Sequence, residues 1–466
     1  MKQIINRAMI VALVVSLLLL PARVTPAQAG ITDDEIRAIL RERIDVAKKS
    51  VGIVAGLVDD RGIRIISYGK ENKTSDQTVN GDSVFEIGSV TKVFTAILLA
   101  DMVERGEVSL NDPISKYLPK SVKTPTRNGK EITLLDLSTQ TSGLPRLPGN
   151  FTPKDPQNPY ADYSVAQLYE FLSTYTLTRD IGSKYEYSNL GVGLLGHILT
   201  LRAGKDYETL VRMRICQPLK MDSTRIKLTP EMQARLAGGH NPALLPVPNW
   251  DLPTLAGAGA LRSTVNDMLK FVAANLGLQK SPLLAAMQMT HQSRHDTGVP
   301  DLEIGLNWHL LKKFGTVMVW HNGGTGGYHS FVGFDPKARK GVVVLSNSSN
   351  DIDDIGRHLL ESEYPLAKVE APKEHKAIRL EARVLDAYVG EYQVVPGFGL
   401  TVSREGDQLF VQATGQGKFE LFAETETDFF LKVVDAQITF VKDDKGQVTS
   451  LVLHQNGVNQ PAKKIK

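Results

Sequence analysis

Ser89 and Lys92 stand three residues apart in Phe85-Glu86-Ile87-Gly88-Ser89-Val90-Thr91-Lys92, and apolar Val93, Phe94, Ile97 and Leu98 follow at helical spacing. That pattern predicts Ser89 at a helix N-terminus with Lys92 one turn later on the same face. A serine hydroxyl is a weak nucleophile until a neighbouring base takes its proton. A lysine one turn away serves only if a cationic or desolvated site lowers its pKa. The helix start adds unpaired N–H groups and a positive dipole end, which favour the anion that develops on an attacked carbonyl. Taken alone, the pair also fits a helix-capping serine followed by a solvated lysine.

Two further segments give the pair company. In Tyr185-Glu186-Tyr187-Ser188-Asn189, an extended backbone projects Tyr187 and Asn189 to one side. A phenol whose pKa is depressed by Lys92 would act as general base and then as acid, while the Asn189 amide would hold Lys92 and a substrate carbonyl. Downstream, an apolar stretch at 317–320 runs into His321-Asn322-Gly323-Gly324-Thr325-Gly326-Gly327. Glycines there admit a ligand close to the backbone, and an exposed N–H would complete an oxyanion hole with that of Ser89.

Ser-x-x-Lys, Tyr-Ser-Asn and a His-x-Gly strand, in this order and roughly 100 and 130 residues apart, resemble the serine β-lactamase and penicillin-binding-protein superfamily, nearest its class C and DD-peptidase branch. Thr141-Ser142-Gly143-Leu144-Pro145 and Ala258-Gly259-Ala260-Leu261-Arg262-Ser263-Thr264 extend the likeness, which spans roughly residues 31–365. The resemblance implies a Ser89 acyl-enzyme, proton transfer shared by Lys92 and Tyr187, substrate positioning by Asn189, His321 and Gly323, and an oxyanion hole from the N–H groups of Ser89 and Gly324. One departure matters. Class C enzymes usually carry Lys-Thr-Gly where this chain has His321-Asn322-Gly323. A histidine is charged only below a pKa near 6.5, so a substrate carboxylate would be held less strongly there. The expected substrates are therefore D-amino-acid-containing peptides such as peptidoglycan stems, or β-lactams. Short-chain carboxylic esters are the alternative, as is a penicillin-sensing or peptidoglycan-binding module that acylates once and stalls.

The elements that must carry these residues are legible in outline. An amphipathic helix is predicted at 35–46 and a hairpin at 51–58 and 63–68. Strands follow at 317–320, 330–334 and 341–345, then a helix at 352–363. Helices at 96–104, 165–175, 190–202 and 265–276 lie between the two strand groups. This predicts an α+β fold, an antiparallel sheet flanked by terminal helices with a largely helical insertion. The Pro-rich loop at 145–160 is expected to border the cleft. After a Lys-, Glu- and Pro-rich linker (366–380), short strands at 400–402, 408–412, 418–422, 429–433, 437–441 and 448–454 predict a small all-β domain over 381–466. With Leu385, Tyr388, Gly390, Tyr392 and Phe440 it resembles the lipocalin-like barrel appended to several such hydrolases, its aromatics serving as core.

At the N-terminus, Lys2 and Arg7 precede an apolar run at 8–20, then Pro21 and Ala27-Gln28-Ala29. That order predicts a signal peptide over 1–29 and a periplasmic or secreted mature protein. The run falls short of the roughly 20 residues that span a bilayer. The chain is 42% hydrophobic and 23% charged, with net charge +3 and scattered basic residues, which argues against nucleic acid. The single Cys216 has no partner for a disulfide and reads as a buried hydrophobe. None of the ten histidines falls in a metal-ligand spacing, Asp351, Asp353 and Asp354 read as a solvated helix start, and neither metal nor cofactor is expected.

Overall fold

The structure is a computed structural model and describes residues 30–371, 375–395, 398–414, 417–434, 436–455 and 458–466. The signal segment expected at 1–29 lies outside the described residues.

One antiparallel sheet organises the larger part of the chain. Its strands are β1 (Gly52–Asp59), β2 (Gly62–Gly69), β3 (His295–Val299), β4 (Leu302–Ile304), β5 (His309–Lys313), β6 (Thr316–Gly324), β7 (His329–Asp335) and β8 (Lys340–Ser346). They lie in the order β2-β1-β8-β7-β6-β5-β4-β3. The central strands are apolar on both faces, and their alternation sorts them into two cores. Ile53, Ala55, Val342 and Val344 join Ile36, Leu40, Ile355 and Leu359 on one face. Val54, Val343 and Leu345 join Val265, Leu269 and Val272 on the other.

The helices that matter are α1 (Asp33–Arg41), α2 (Thr91–Glu104), α3 (Asn189–Ala203), α4 (Val265–Asn275) and α5 (Asp353–Leu360). α1 opens with a capping box, in which Thr32 and Glu35 bond one another's backbone N–H groups. α1 and α5 cover one face of the sheet and α4 the other. The insertion between β2 and β3 holds α2 and α3. α2 is apolar nearly all round, as a fully enclosed helix must be.

Within this sheet the structure adds three strands to the expected set, β3 to β5. They carry the sequences HDTGV, LEI and HLLKK, partly exposed and without apolar alternation, so nothing in their pattern announced a sheet. The solvated helix start expected at Asp351, Asp353 and Asp354 holds for the exposed Asp351 and is corrected for the other two. Asp353 is buried, and Asp354 pairs with the buried Arg43 at 2.6 Å, joining the chain that follows α1 to α5. Cys216 is buried, and burial pushes its thiol up to about 12.

The C-terminal part is a closed barrel of eight antiparallel strands, β9 to β16: Gly390–Val395, Phe398–Glu405, Gln408–Ala413, Lys418–Ala423, Asp428–Phe430, Ala436–Lys442, Val448–Gln455 and Val458–Lys464. β9 and β16 close it through Tyr392 with Lys464 and Gln393 with Lys463. Neither was expected, because β16 carries Pro461 and a basic end where a core strand would be apolar. Tyr388, Tyr392, Phe429 and Phe440 fill the interior. Rings of Tyr388 and Phe440 stack at 4.4 Å, and both phenols donate to backbone carbonyls. An interior packed in this way is a core. Ahead of the barrel, His375 stacks on Phe430 and the Ile378 N–H donates to Ala423.

Candidate active site

The chain enters the site through a short strand, Phe85–Glu86, then a 3-10 turn, Gly88–Val90, that feeds α2. Ser89 is the partly accessible residue of a stretch otherwise buried from Ser83 through Val90. Gly88 has φ +47°, and a Cβ there would meet the backbone N and O of Gly324 at 2.9 Å. A Cβ at Gly323 would lie 2.1 Å from the Ile87 carbonyl oxygen and 2.9 Å from the Ser89 nitrogen. Both glycines are therefore needed to bring the end of β6 against the nucleophile turn. The contact gathers the Ser89 and Gly324 amides at one place.

Lys92 is fully buried in the first turn of α2. Its Nζ lies 2.9 Å from Ser89 Oγ, 2.8 Å from Asn189 Oδ1 and 2.7 Å from the Ala258 carbonyl oxygen. Desolvation, aided by the positive charge of Arg146, holds its pKa well below the ordinary lysine value. A neutral amine has two N–H donors and one lone pair. With Asn189 Oδ1 and Ala258 O accepting from such an amine, its lone pair faces the Ser89 hydroxyl; as an ammonium the same nitrogen donates to all three.

Ser188 sets the neighbours. Its side chain caps α3 by accepting from Gly191 N–H and donates to the Pro145 carbonyl, and its own N–H donates to Gln140 Oε1. Thus pinned, the segment turns Tyr187 and Asn189 toward Lys92, whose Nζ lies 4.8 Å from the Tyr187 ring centroid. The expected depression of the Tyr187 pKa is corrected. Desolvation raises it, against partial opposition from the Ser89 hydroxyl and Arg146. Tyr187 is a protonated phenol in this state. Asn189 donates through Nδ2 to the Tyr160 hydroxyl at 3.0 Å, which fixes its amide orientation.

His321 lies beneath the cleft, its ring centroid 6.3 Å from that of Tyr187 and stacked on His309 at 5.2 Å. The conditional charge expected of it is corrected as well. Burial, together with His309 and Lys92, holds its pKa well below 6.5, so the ring is neutral. Nδ1 faces the Asn322 carbonyl, which places the ring proton there and leaves Nε2 as an acceptor. Asn322 does not face the cleft. Its amide donates to Asp353 at 2.7 Å.

Several residues at the site had no role in the sequence reading. Glu86 ties the strand before Ser89 to Arg262 at 3.1 Å and to the Asn249 side chain and Trp250 N–H. Burial raises its pKa. Tyr160 and Trp250 form an aromatic wall, their centroids 5.5 Å apart. Arg146, directly after Pro145, sets its guanidinium carbon 5.1 Å from the Tyr187 ring centroid. The expectation that the 145–160 loop borders the cleft offered the one available signal for Arg146 and Tyr160.

Away from the cleft, His329, Asp351 and Asp353 bring potential ligand atoms within 4.8 Å, a cluster that sequence spacing could not reveal. His329 and Asp353 are already engaged with one another at 2.9 Å, and Asn322 and Arg357 donate to the same carboxylate. The arrangement is an ion-pair network. Among the described residues, no helix is long and apolar enough to cross a membrane.

The model of the β-lactamase family matches residues 36–361, and that of a domain of unknown function, DUF3471, matches residues 374–464. The chain is 30% identical over 375 residues to the D-alanyl-D-alanine-carboxypeptidase/endopeptidase AmpH of Escherichia coli (strain K12), covering 74% of this chain and 95% of that one. It is 28% identical over 318 residues to a β-lactamase of the same organism, covering 61% and 80%. A class C β-lactamase structure from Rhodobacter sphaeroides superposes with a TM-score of 0.61 at 23% identity, covering 71% and 97%, and so shares the fold.

Proposed function

Because the chain belongs to the β-lactamase family and is a serine hydrolase, we propose that Ser89 is its nucleophile and that it cleaves amide bonds of D-amino-acid-containing peptides or β-lactams through an acyl-enzyme. The observation that carries this reading is the fully buried Lys92, its Nζ held by Asn189 and Ala258 at 2.9 Å from Ser89 Oγ, with a pKa that burial lowers.

As Ser89 Oγ bonds to the scissile carbonyl carbon, Lys92 takes the hydroxyl proton and the carbonyl electron pair moves onto oxygen, where the N–H groups of Ser89 and Gly324 stabilise it. The new ammonium stands 4.8 Å from the Tyr187 ring and makes the phenol a better acid at that step. Collapse breaks the C–N bond, Tyr187 gives its proton to the leaving nitrogen, and Lys92 restores it. Water then repeats the sequence, its proton passing through the same pair and Ser89 regaining its hydrogen. Asn189 holds Lys92 in place.

Names of relatives support the substrate class, one a D-alanyl-D-alanine carboxypeptidase and another a β-lactamase. The 1–29 pattern supports a periplasmic or secreted location, where peptidoglycan is at hand. A neutral His321 is the observation that favours the second reading, a carboxylesterase for uncharged acyl esters. Mass spectrometry of the protein mixed with D-Ala-D-Ala peptides, penicillins, cephalosporins and short esters tests both. An acyl adduct on Ser89 that turns over is expected, absent in Ser89→Ala. Reaction at another residue, or undiminished turnover by Ser89→Ala, overturns the assignment.

A further inference from the structure

The strand that carries a lysine in class C relatives carries none here. His321 is neutral with an acceptor nitrogen, and the Asn322 amide is held by Asp353. Neither can meet a substrate carboxylate. Other cations around the site are already engaged. Arg262 bonds Glu86 and the carbonyls of Ile226 and Trp250. Arg357 bonds Asp353 and lies over Trp320.

Arg146 differs from these. It is exposed, and no acceptor or carboxylate among the described residues bonds its guanidinium. It rests over the Tyr187 ring, 5.1 Å from the centroid. Its backbone is fixed, since its carbonyl accepts from Leu190 N–H in the first turn of α3 and the preceding Pro145 carbonyl accepts from Ser188. A guanidinium over an aromatic ring at an exposed site makes a weak contact. With no acceptor among the described residues, its N–H groups stay available, and a guanidinium fork matches a carboxylate in bidentate geometry.

We infer that Arg146 is the specificity residue of this cleft and pairs with a carboxylate carried on the carbon bonded to the leaving nitrogen. The inference rests on the acyl-enzyme reading of Ser89 and Tyr187. Tyr187 protonates the leaving nitrogen, and in both a D-Ala-D-Ala peptide and a penicillin a carboxylate sits one carbon from that nitrogen. A long, exposed cationic side chain 5.1 Å from the Tyr187 ring is within reach of that carboxylate. Arg146 thus supplies the charge that His321 does not.

The test uses the full chain as wild type, Arg146→Ala, Arg146→Lys and Arg146→Glu. Rates of Ser89 acylation are compared for a D-Ala-D-Ala peptide against its C-terminal amide, and for benzylpenicillin against its methyl ester. Wild type is expected to prefer the free acid of at least one pair, which identifies whether peptide or lactam is the source of the carboxylate. The preference falls on the order of 10- to 100-fold in Arg146→Ala, as for loss of a hydrogen-bonded charge pair. It falls further in Arg146→Glu and is largely kept in Arg146→Lys. Equal reaction of acid and neutral partner in wild type, or equal loss on both in Arg146→Ala, overturns the inference. A fluorophosphonate probe separates this from failure of the nucleophile assignment. Labelling of Ser89 with no reaction of any of the four substrates rejects the carboxylate role alone, whereas no labelling at Ser89 rejects the acyl-enzyme reading and this inference with it.

Discussion

Replacing Gly323 by alanine probes the contact between β6 and the nucleophile turn directly. The added Cβ would stand 2.1 Å from the Ile87 carbonyl oxygen, 2.5 Å from Ser330 Oγ and 2.9 Å from the Ser89 nitrogen. An unstrained carbon–oxygen contact is about 3.3 Å, so the backbone must separate by about 1.2 Å. Ser330 cannot easily yield, being buried and bonded to that same carbonyl at 2.8 Å. β6 can yield, because its pairing with β5 ends at Trp320 and His309 and beyond that point it is held by β7 alone. The end of β6 should swing outward and carry the Gly324 amide away from Ser89. A misplacement of about 1 Å costs about 100-fold in rate, or about 2.7 kcal/mol of barrier. Overpacking costs stability as well, about 1–3 kcal/mol. Steady-state kinetics on a chromogenic substrate, thermal denaturation and the rate of fluorophosphonate labelling measure the two effects separately. A Gly323→Ala protein with kcat/KM within about threefold of wild type and an unchanged Tm would refute the reasoning.

Lys92→Met should be inactive and should change how stability depends on pH. Burial lowers the pKa of folded Lys92 well below the 10.5 of an unfolded lysine, so wild type gains on the variant by about 1.4 kcal/mol per pH unit as pH rises between the two values. Parallel urea-denaturation curves for the two proteins from pH 7 to 9 would contradict a buried neutral amine. His329 behaves with the opposite sign. Asp353 and Asp351 raise its folded pKa, so its contribution is complete below about 6.5 and is lost as pH rises through the folded value. The gap in denaturation midpoint between wild type and His329→Gln should narrow from pH 5.5 to 9, and a widening gap would be inconsistent with the ion pair. Tyr392→Ala removes a buried ring and the donor to the Tyr388 carbonyl, at about 3–5 kcal/mol. Hydrogen exchange should show the barrel strands losing protection, and unchanged exchange there would count against a packed interior.

How far each feature could be read from sequence depended on whether its signal was local. β1, β2, β7 and β8 were legible because each is a short apolar run bounded by turn residues. β3 to β5 were not, since partial exposure removes the alternation by which a strand is recognised. β16 was hidden for a related reason, its pairing being set by barrel closure. Among the site residues, Ser89, Lys92, Tyr187, Asn189, His321, Gly323 and Gly324 all announced themselves by type and spacing, and the fold gathers them. Arg146, Tyr160 and Glu86 did not, because an arginine, a tyrosine or a glutamate in a loop or strand end has no local mark until its neighbours are known.

The sequence by itself determined which groups could perform acyl transfer and the order in which they occur along the chain. Only tertiary structure decided their protonation. Enclosing Lys92 lowers its pKa, and enclosing Tyr187 raises that of its phenol where a depression was expected. Enclosing His321 removes the charge that its position was expected to supply. The physical reason is common to all three. A pKa is set by desolvation and by charges a few ångströms away, and the fold decides which groups are enclosed and which segments are brought beside them.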